Sequence, residues 1–437
     1  MTDQTPPRTR LEQLLRQRHL TLEEFRKTYQ RAANRTVLSE RQAYRWVAGE
    51  LSGLPYPAAQ GTLEEMFGEP VTRLFGPPYG IEALRPCQVG SASSRGTART
   101  DWEGQVITTS ADRARDFLSR IEVANVGAET LDQLADDVRR LVVAYLQQPL
   151  PTLLSDLVGT QDRAFTLLEG RQRPQQSRDL YLVAGITCGL MAMASQDLGV
   201  PHDAMTQART GYACADNAGH DGLRAWTRGL QGNITYWSGQ FEDSLRYTQL
   251  GTEAAARSRG TAGVFLASSE ARALAALNRP DQVHLAVARA AAARDRVQPD
   301  ELDILGGICN FSRPPQLHYA AEALSWGGAP EAGRAEQFAL ETLNAYAAAP
   351  QGSSIRNEAN TRGALAVARV ARGEVDGATE ALTPVLELPP DQRTHTIVTS
   401  VERVRTALQT LKDPGRTAIE LAGAIEAFTA QRLAHTR

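Results

Sequence analysis

Leu38-Ser39-Glu40-Arg41-Gln42-Ala43-Tyr44-Arg45-Trp46-Val47-Ala48-Gly49-Glu50 reads as one complete helix, with its start, buried side and stop all visible. Ser39 is a favoured N-cap, and Gln42 three residues later forms a capping box with it, so the helix begins at Glu40. Ala43, Trp46 and Val47 recur at helical spacing and share a buried side. Arg41, Gln42 and Arg45 lie opposite, on a face without an acid. Gly49 suits the left-handed C-cap, and the 51–57 stretch, with a glycine and two prolines, cannot continue the helix.

A capped helix with a basic outer face fits the major groove of double-stranded DNA, where recognition helices present their first turns to base edges. Arg41 and Arg45 are the candidate guanine readers. The bland alternative is an ordinary solvated face, and the surrounding charge weighs against it. From Arg8 to Trp46 ten basic residues stand against four acids, a net of +6 in a chain of net −3, so the remainder carries −9. A polyanion is therefore drawn to one end of the molecule, and Arg16, Arg18 and Arg26 are candidate phosphate contacts.

The flanks complete a small helical domain over residues 1–76. Leu11, Leu14, Leu15 and Leu20 form one apolar stripe; Thr21 is placed to cap a second helix carrying Leu22, Phe25, Tyr29 and Ala33. After the central helix, Pro57 suits a first turn, Leu63, Met66 and Phe67 form a further face, and Val71, Leu74 and Phe75 close the core. Five helices are expected. Residues 77–110, rich in Gly, Pro and Ser, read as a flexible linker, and helical patterning runs from Ala111 onward, with Leu118, Ile121 and Val123 on its first face.

Within 437 residues, 42% hydrophobic and 22% charged, there is room for two or three cores and no sign of bulk disorder. Only 6% are aromatic while Ala and Leu abound, which predicts an all-α chain. Cys87, Cys188, Cys214 and Cys309 are far apart in sequence and lack zinc-ligand spacing, as buried thiols in a reducing compartment would. The first residues carry no apolar signal core, and the apolar run from Leu180 to Ala194 is too short to span a bilayer, so the protein is expected in the cytoplasm, away from membranes. No phosphate loop, HExxH or GxSxG motif is present, the histidines are scattered, and adjacent acids such as Asp136-Asp137 and Glu242-Asp243 read as solvated faces. No enzyme activity, cofactor or metal is expected.

The Ser39-x-x-Gln42-Ala43-x-Arg45-Trp46-x-x-Gly49 pattern, with Pro57-Ala58 and Leu63-Glu64-Glu65-Met66-Phe67-Gly68 after it, resembles the repressor-type (XRE-family) helix-turn-helix regulators, in particular large actinobacterial ones. The resemblance implies that Glu40, Arg41, Gln42, Tyr44 and Arg45 face the operator, with Trp46 and Gly49 structural. The connection between Phe25 and Ser39 is longer than the tight turn usual in that family.

Beyond Arg178 the helices come in pairs. Gly199, Gly239, Asn278, the Gly327-Gly328 pair and Gly373 recur about 40 to 50 residues apart, the period of a helical solenoid. Small residues lie seven positions before four of these breaks, at Ala192, Gly232, Ala271 and Ala366, and five positions after three, at Ala204, Ser244 and Ala378. The pattern resembles degenerate tetratricopeptide repeats over residues 180–410, so that 111–437 is expected to be an α-solenoid. Aligning the breaks turns Trp226, Asn233, Tyr236 and Trp237 to its inner surface, joined by Met193, Phe265 and Arg272. Aromatic walls around one amide and one cation suit a peptide or amphipathic small-molecule effector, although such stripes are more often plain core. The expected function is a ligand-responsive transcriptional regulator, a homodimer because helix-turn-helix proteins commonly need two half-sites. The alternative is an interaction adaptor using the solenoid as a scaffold.

Overall fold

The computed structural model describes residues 7–18, 20–32, 38–49, 55, 57–76, 78, 107–115, 126–349 and 354–430. The 34–37 connection, Cys87, most of the expected linker and the Leu118–Val123 face lie outside them. Among the described residues all regular structure is helical, and the chain forms two compact units, Met1–Asp101 and Trp102–Arg437.

The first unit holds α1 (Arg10–Gln17), α2 (Leu22–Ala32), α3 (Glu40–Ala48), α4 (Pro57–Phe67) and α5 (Val71–Leu74). Local chemistry sets each start. Thr21 Oγ1 accepts from Glu24 N at 3.2 Å while the Glu24 carboxylate accepts from Thr21 N at 2.8 Å, a closed capping box. Ser39 accepts from Gln42 N at 3.2 Å, the serine half of the box expected there, and the Gln42 side chain stays exposed. Thr9 does two jobs: its hydroxyl oxygen accepts from Glu12 N at 3.1 Å to cap α1 and donates to Val47 O at 2.8 Å, pinning the end of α3. Gly49 takes φ 73° as expected, and a Cβ there would stand 2.8 Å from Thr9 Cγ2, so both backbone and contact demand glycine. The core is aromatic. Tyr29 meets Trp46 edge-on at 5.5 Å, Trp46 meets Phe75 at 6.3 Å, and Phe25 meets Phe67 at 6.0 Å.

In the second unit residues 107–115 (α6) are already helical, earlier than the Ala111 start expected from periodicity. Then come α7 (Ala128–Gln147) and α8 (Leu150–Leu168), followed by inner and outer helices in alternation: α9 (Pro174–Asp197) with α10 (Pro201–Asn217), α11 (Asp221–Trp237) with α12 (Phe241–Leu250) and the short α13 (Thr252–Arg257), α14 (Ala262–Ala276) with α15 (Pro280–Arg294). A short α16 (Glu301–Ile304) and a 3₁₀ turn, Gly307–Cys309, lead to α17 (Arg313–Ser325) with α18 (Ala329–Ala348), α19 (Ile355–Ala371) with α20 (Val375–Leu386), and α21 (His395–Leu408) with α22 (Arg416–Thr429). Each inner helix packs on the next, from α9 through α11, α14, α17 and α19 to α21. The array is an α-solenoid whose last described helix ends at Thr429, within the 111–437 span expected for it.

Left-handed residues separate partners within pairs: Gly199 (φ 79°), Gly239 (φ 74°), Asn278 (φ 55°), Gly328 (φ 63°) and Gly373 (φ 80°), each a break read from the sequence. The seven flanking small residues are all buried, and Ser244 Oγ donates to Gly232 O at 2.7 Å where α12 crosses α11. One expectation changes. Asp137 is buried rather than solvated, taking Arg115 Nη2 at 3.1 Å and so tying α6 to α7, whereas Asp136, rotated about 100° along the helix, is exposed. Cys188, Cys214 and Cys309 are buried free thiols, as expected, and Cys188 Sγ accepts from Gln161 Nε2 at 3.2 Å.

Trp46→Ala tests the first core. Loss of a fully buried Trp costs about 3–5 kcal/mol, comparable to the whole stability of so small a unit. Circular dichroism melts of the full chain should lose the transition of the Met1–Asp101 unit and keep that of the helical array; a two-transition melt like the parent's would place Trp46 outside the load of that core.

Candidate functional site

The outer face of α3 presents Glu40, Arg41, Gln42, Tyr44 and Arg45, all exposed, while Ala43 and Trp46 anchor its other side. Tyr44 is 51% exposed, a large ring left in solvent between two arginines. The three other candidate DNA contacts have tasks inside the unit. Arg18 donates to Met66 O at 3.0 Å and stacks on Phe67 at 5.1 Å; Arg26 donates to Leu38 O at 3.0 Å, holding the residue that enters α3; Arg16 pairs with Glu12 at 2.6 Å. Arg18 and Arg26 are thus position-fixing residues of the fold before they are anything else.

In the second unit a cavity of about 840 Å³, counting its solvent-open mouth, lies among the inner helices. The structure brings six of the seven candidate ligand residues to its wall: Met193, Trp226, Asn233, Trp237, Phe265 and Arg272. Tyr236 is the exception. Its ring is buried behind the wall, because its hydroxyl finds Glu322 Oε1 at 2.9 Å and accepts from Trp326 Nε1 at 3.0 Å. Glycines make the walls possible: a Cβ on Gly189 would lie 2.1 Å from the Trp226 ring, and one on Gly229 would lie 2.3 Å from Phe265. The rings of one inner helix fill the missing side chains of the helix before it.

A buried polar cluster backs the cavity. Arg272, 1% exposed, gives Nη1 to Glu322 at 2.9 Å and Nη2 to Asn233 Oδ1, and lies 3.6 Å over Tyr319 and 4.5 Å over Tyr236. Glu322, also 1% exposed, takes Arg403 Nη1 at 3.3 Å as well. Burial opposes the Glu322 charge, but Arg272, His318 and Arg403 outweigh it and hold the carboxyl below its ordinary range. His318 faces the same group at 3.7 Å and bonds Thr361 Oγ1 at 3.0 Å. Burial first, then Arg272, Arg356 and Arg403, push it down to about 4 against the pull of Glu322, so it is neutral at pH 7. On the other side Arg356 pairs with Asp197, which also accepts from Tyr145 Oη at 2.9 Å.

Glu322 is the residue that sequence reasoning missed. It stands six positions before Gly328, as Met193, Asn233 and Arg272 stand six before Gly199, Gly239 and Asn278, so one more repeat in the same alignment leads to it. His318, Tyr319, Arg356 and Asn360 line the cavity, with Glu322 behind its wall. The first two sit ten and nine positions before Gly328, like Gly229 and Leu230 before Gly239. Among the described residues no cluster of His, Cys, Asp and Glu is arranged to hold a metal, and no helix is long and apolar enough to cross a membrane. Neither protein-family models nor curated proteins match this chain.

His318 makes array stability depend on pH. Its folded pKa, about 4, lies below the ordinary imidazole value of 6.5, so the unfolded chain binds more protons between them; stability is complete above 6.5 and falls as pH drops toward 4. The loss is at most roughly 3 kcal/mol. His318→Asn should flatten the fall in melting temperature of the array between pH 6.5 and 4.5; an unchanged slope would assign the titration to another group.

Proposed function

We propose that this chain is a sequence-specific DNA-binding transcriptional regulator, with α3 as its reading helix and the α-solenoid as an effector-binding and dimerising module. The observation that carries this reading is α3 itself: a helix capped at Ser39, anchored by the aromatic core, with Arg41, Gln42, Tyr44 and Arg45 exposed together. Such a face offers bidentate donors to guanine and an amide to adenine in the major groove. The likeness to repressor-type helix-turn-helix regulators supports the same assignment. The net +6 of residues 8–46 supplies sequence-independent attraction to phosphates. In the solenoid, a cavity with aromatic walls and a few placed polar groups supports effector binding. An effector that alters DNA affinity must have its own affinity altered by DNA by the same factor.

The test begins with duplexes selected from a random pool by the full chain. Arg41→Ala and Arg45→Ala should each cost about 1–3 kcal/mol on the selected site and relax its base preference. Arg16→Ala should weaken selected and random duplexes alike and lower the salt slope by about one unit. Equal loss on both duplexes for Arg41→Ala would overturn the base-reading role.

Arg272→Met offers a separate check on the cluster behind the cavity. Leaving Glu322 without its nearest cation should cost about 3–5 kcal/mol, whereas Arg272→Met with Glu322→Gln should recover most of it. Urea titrations that show the double variant no better than the single one would remove the pair from its structural role.

A further inference from the structure

Among the described residues the charged lining of the cavity is entirely cationic. Arg272 and Arg356 face it, while the carboxylates that pair with them, Glu322 and Asp197, lie outside its wall. In this cluster three arginines, Arg272, Arg356 and Arg403, meet those two carboxylates, so one positive charge is in excess. Low-dielectric surroundings make such an excess costly unless something negative enters.

The two cavity-facing arginines differ in what they have left to give. Arg272 spends Nη1 on Glu322, Nη2 on Asn233 and its faces on tyrosine rings, and keeps only a buried Nε–H without a partner. Arg356 gives Nη1 to Asp197 and lies 5.5 Å over the Tyr145 ring, and it keeps N–H donors for another acceptor. One turn along α19 stands Asn360, 3% exposed, in the cavity wall, and its Oδ1 has no partner. A buried carbonyl oxygen without a donor is costly, and a ligand N–H or O–H would satisfy it. Arg356 and Asn360 share one helix face at this spacing, so a single small molecule can reach both. The remaining wall supplies Trp226, Trp237, Phe265 and Tyr319.

We propose that the cavity binds a flat aromatic monoanion: a two- or three-ring organic acid that carries an N–H or O–H beside its acid group. The acid group takes the free donors of Arg356, the neighbouring donor group serves Asn360 Oδ1, and the rings lie against the aromatic wall. Cations are excluded by the two guanidinium groups that face the cavity. This rests on the reading of the cavity as the effector site and narrows that effector to one chemical class.

Two fluorescent probes of nearly equal shape separate the class from the site. 1-Anilinonaphthalene-8-sulfonate has the fused rings, the anion and an adjacent N–H; N-phenyl-1-naphthylamine lacks only the sulfonate. With the full chain at pH 7.5, the sulfonate should bind one-to-one, with energy transfer from tryptophan, at least about tenfold tighter than the neutral amine. Arg356→Gln should abolish that preference and leave the amine unchanged. Because this variant strands Asp197, Arg356→Gln with Asp197→Asn is the companion, expected to behave the same with no unpaired carboxylate. Equal affinity for both probes in the parent chain would overturn the anion while keeping the cavity as a binding site. Stoichiometric binding of neither probe would overturn both.

Discussion

The buried pair Arg272–Glu322 is the constraint on which the helical array depends. Removing two full charges from water costs several kcal/mol each, and only close geometry with further hydrogen bonds repays it. Here the repayment comes from five inner helices at once: Asn233 and Tyr236 on α11, Arg272 on α14, His318 and Glu322 on α17, Thr361 on α19 and Arg403 on α21. A solenoid held by neighbour contacts alone tolerates gradual bending, since each repeat touches only the next. A polar cluster spanning α11 to α21 does not, because a small slide of one helix leaves a charge unpaired. The cluster therefore fixes the register of the repeats as well as the back wall of the cavity.

Much of this was legible in the chain, and the parts that were not share a cause. The left-handed breaks at Gly199, Gly239, Asn278, Gly328 and Gly373 are local demands of backbone geometry, so one residue type at one spacing announces each. The inward set at 193, 226, 233, 237, 265 and 272 follows from helical phase relative to those breaks. What phase does not encode is the partner. Arg272 looked like a cation held for a ligand, yet its charge is answered by Glu322 fifty positions away. Tyr236 has the right phase but turns its hydroxyl from the cavity for the same carboxylate. Contacts that close the array, with α21 against α9 and the Gly307–Cys309 turn against α7, arise from accumulated superhelical rotation and have no signature in any single repeat.

The small unit shows the opposite weighting. Its caps and core were readable almost residue by residue, since short helices carry their own boundary signals. Its charges carry tasks within the fold that counting does not reveal. Counting arginines treats each as available to a polyanion, but Arg18 and Arg26 are drawn to backbone carbonyls that would otherwise lack donors, at Met66 and Leu38. The arginines of α3 keep their outward role because that helix buries its opposite side so completely.

The fit of Trp226 against Gly189 and of Phe265 against Gly229 couples size to curvature. Each ring is at once a spacer between successive inner helices and a panel of the cavity wall, so the angle between repeats and the volume they enclose are one mechanical variable. A larger residue at either glycine would have to displace the facing ring, and so would act as a wedge between the two helices and reshape the cavity wall at once.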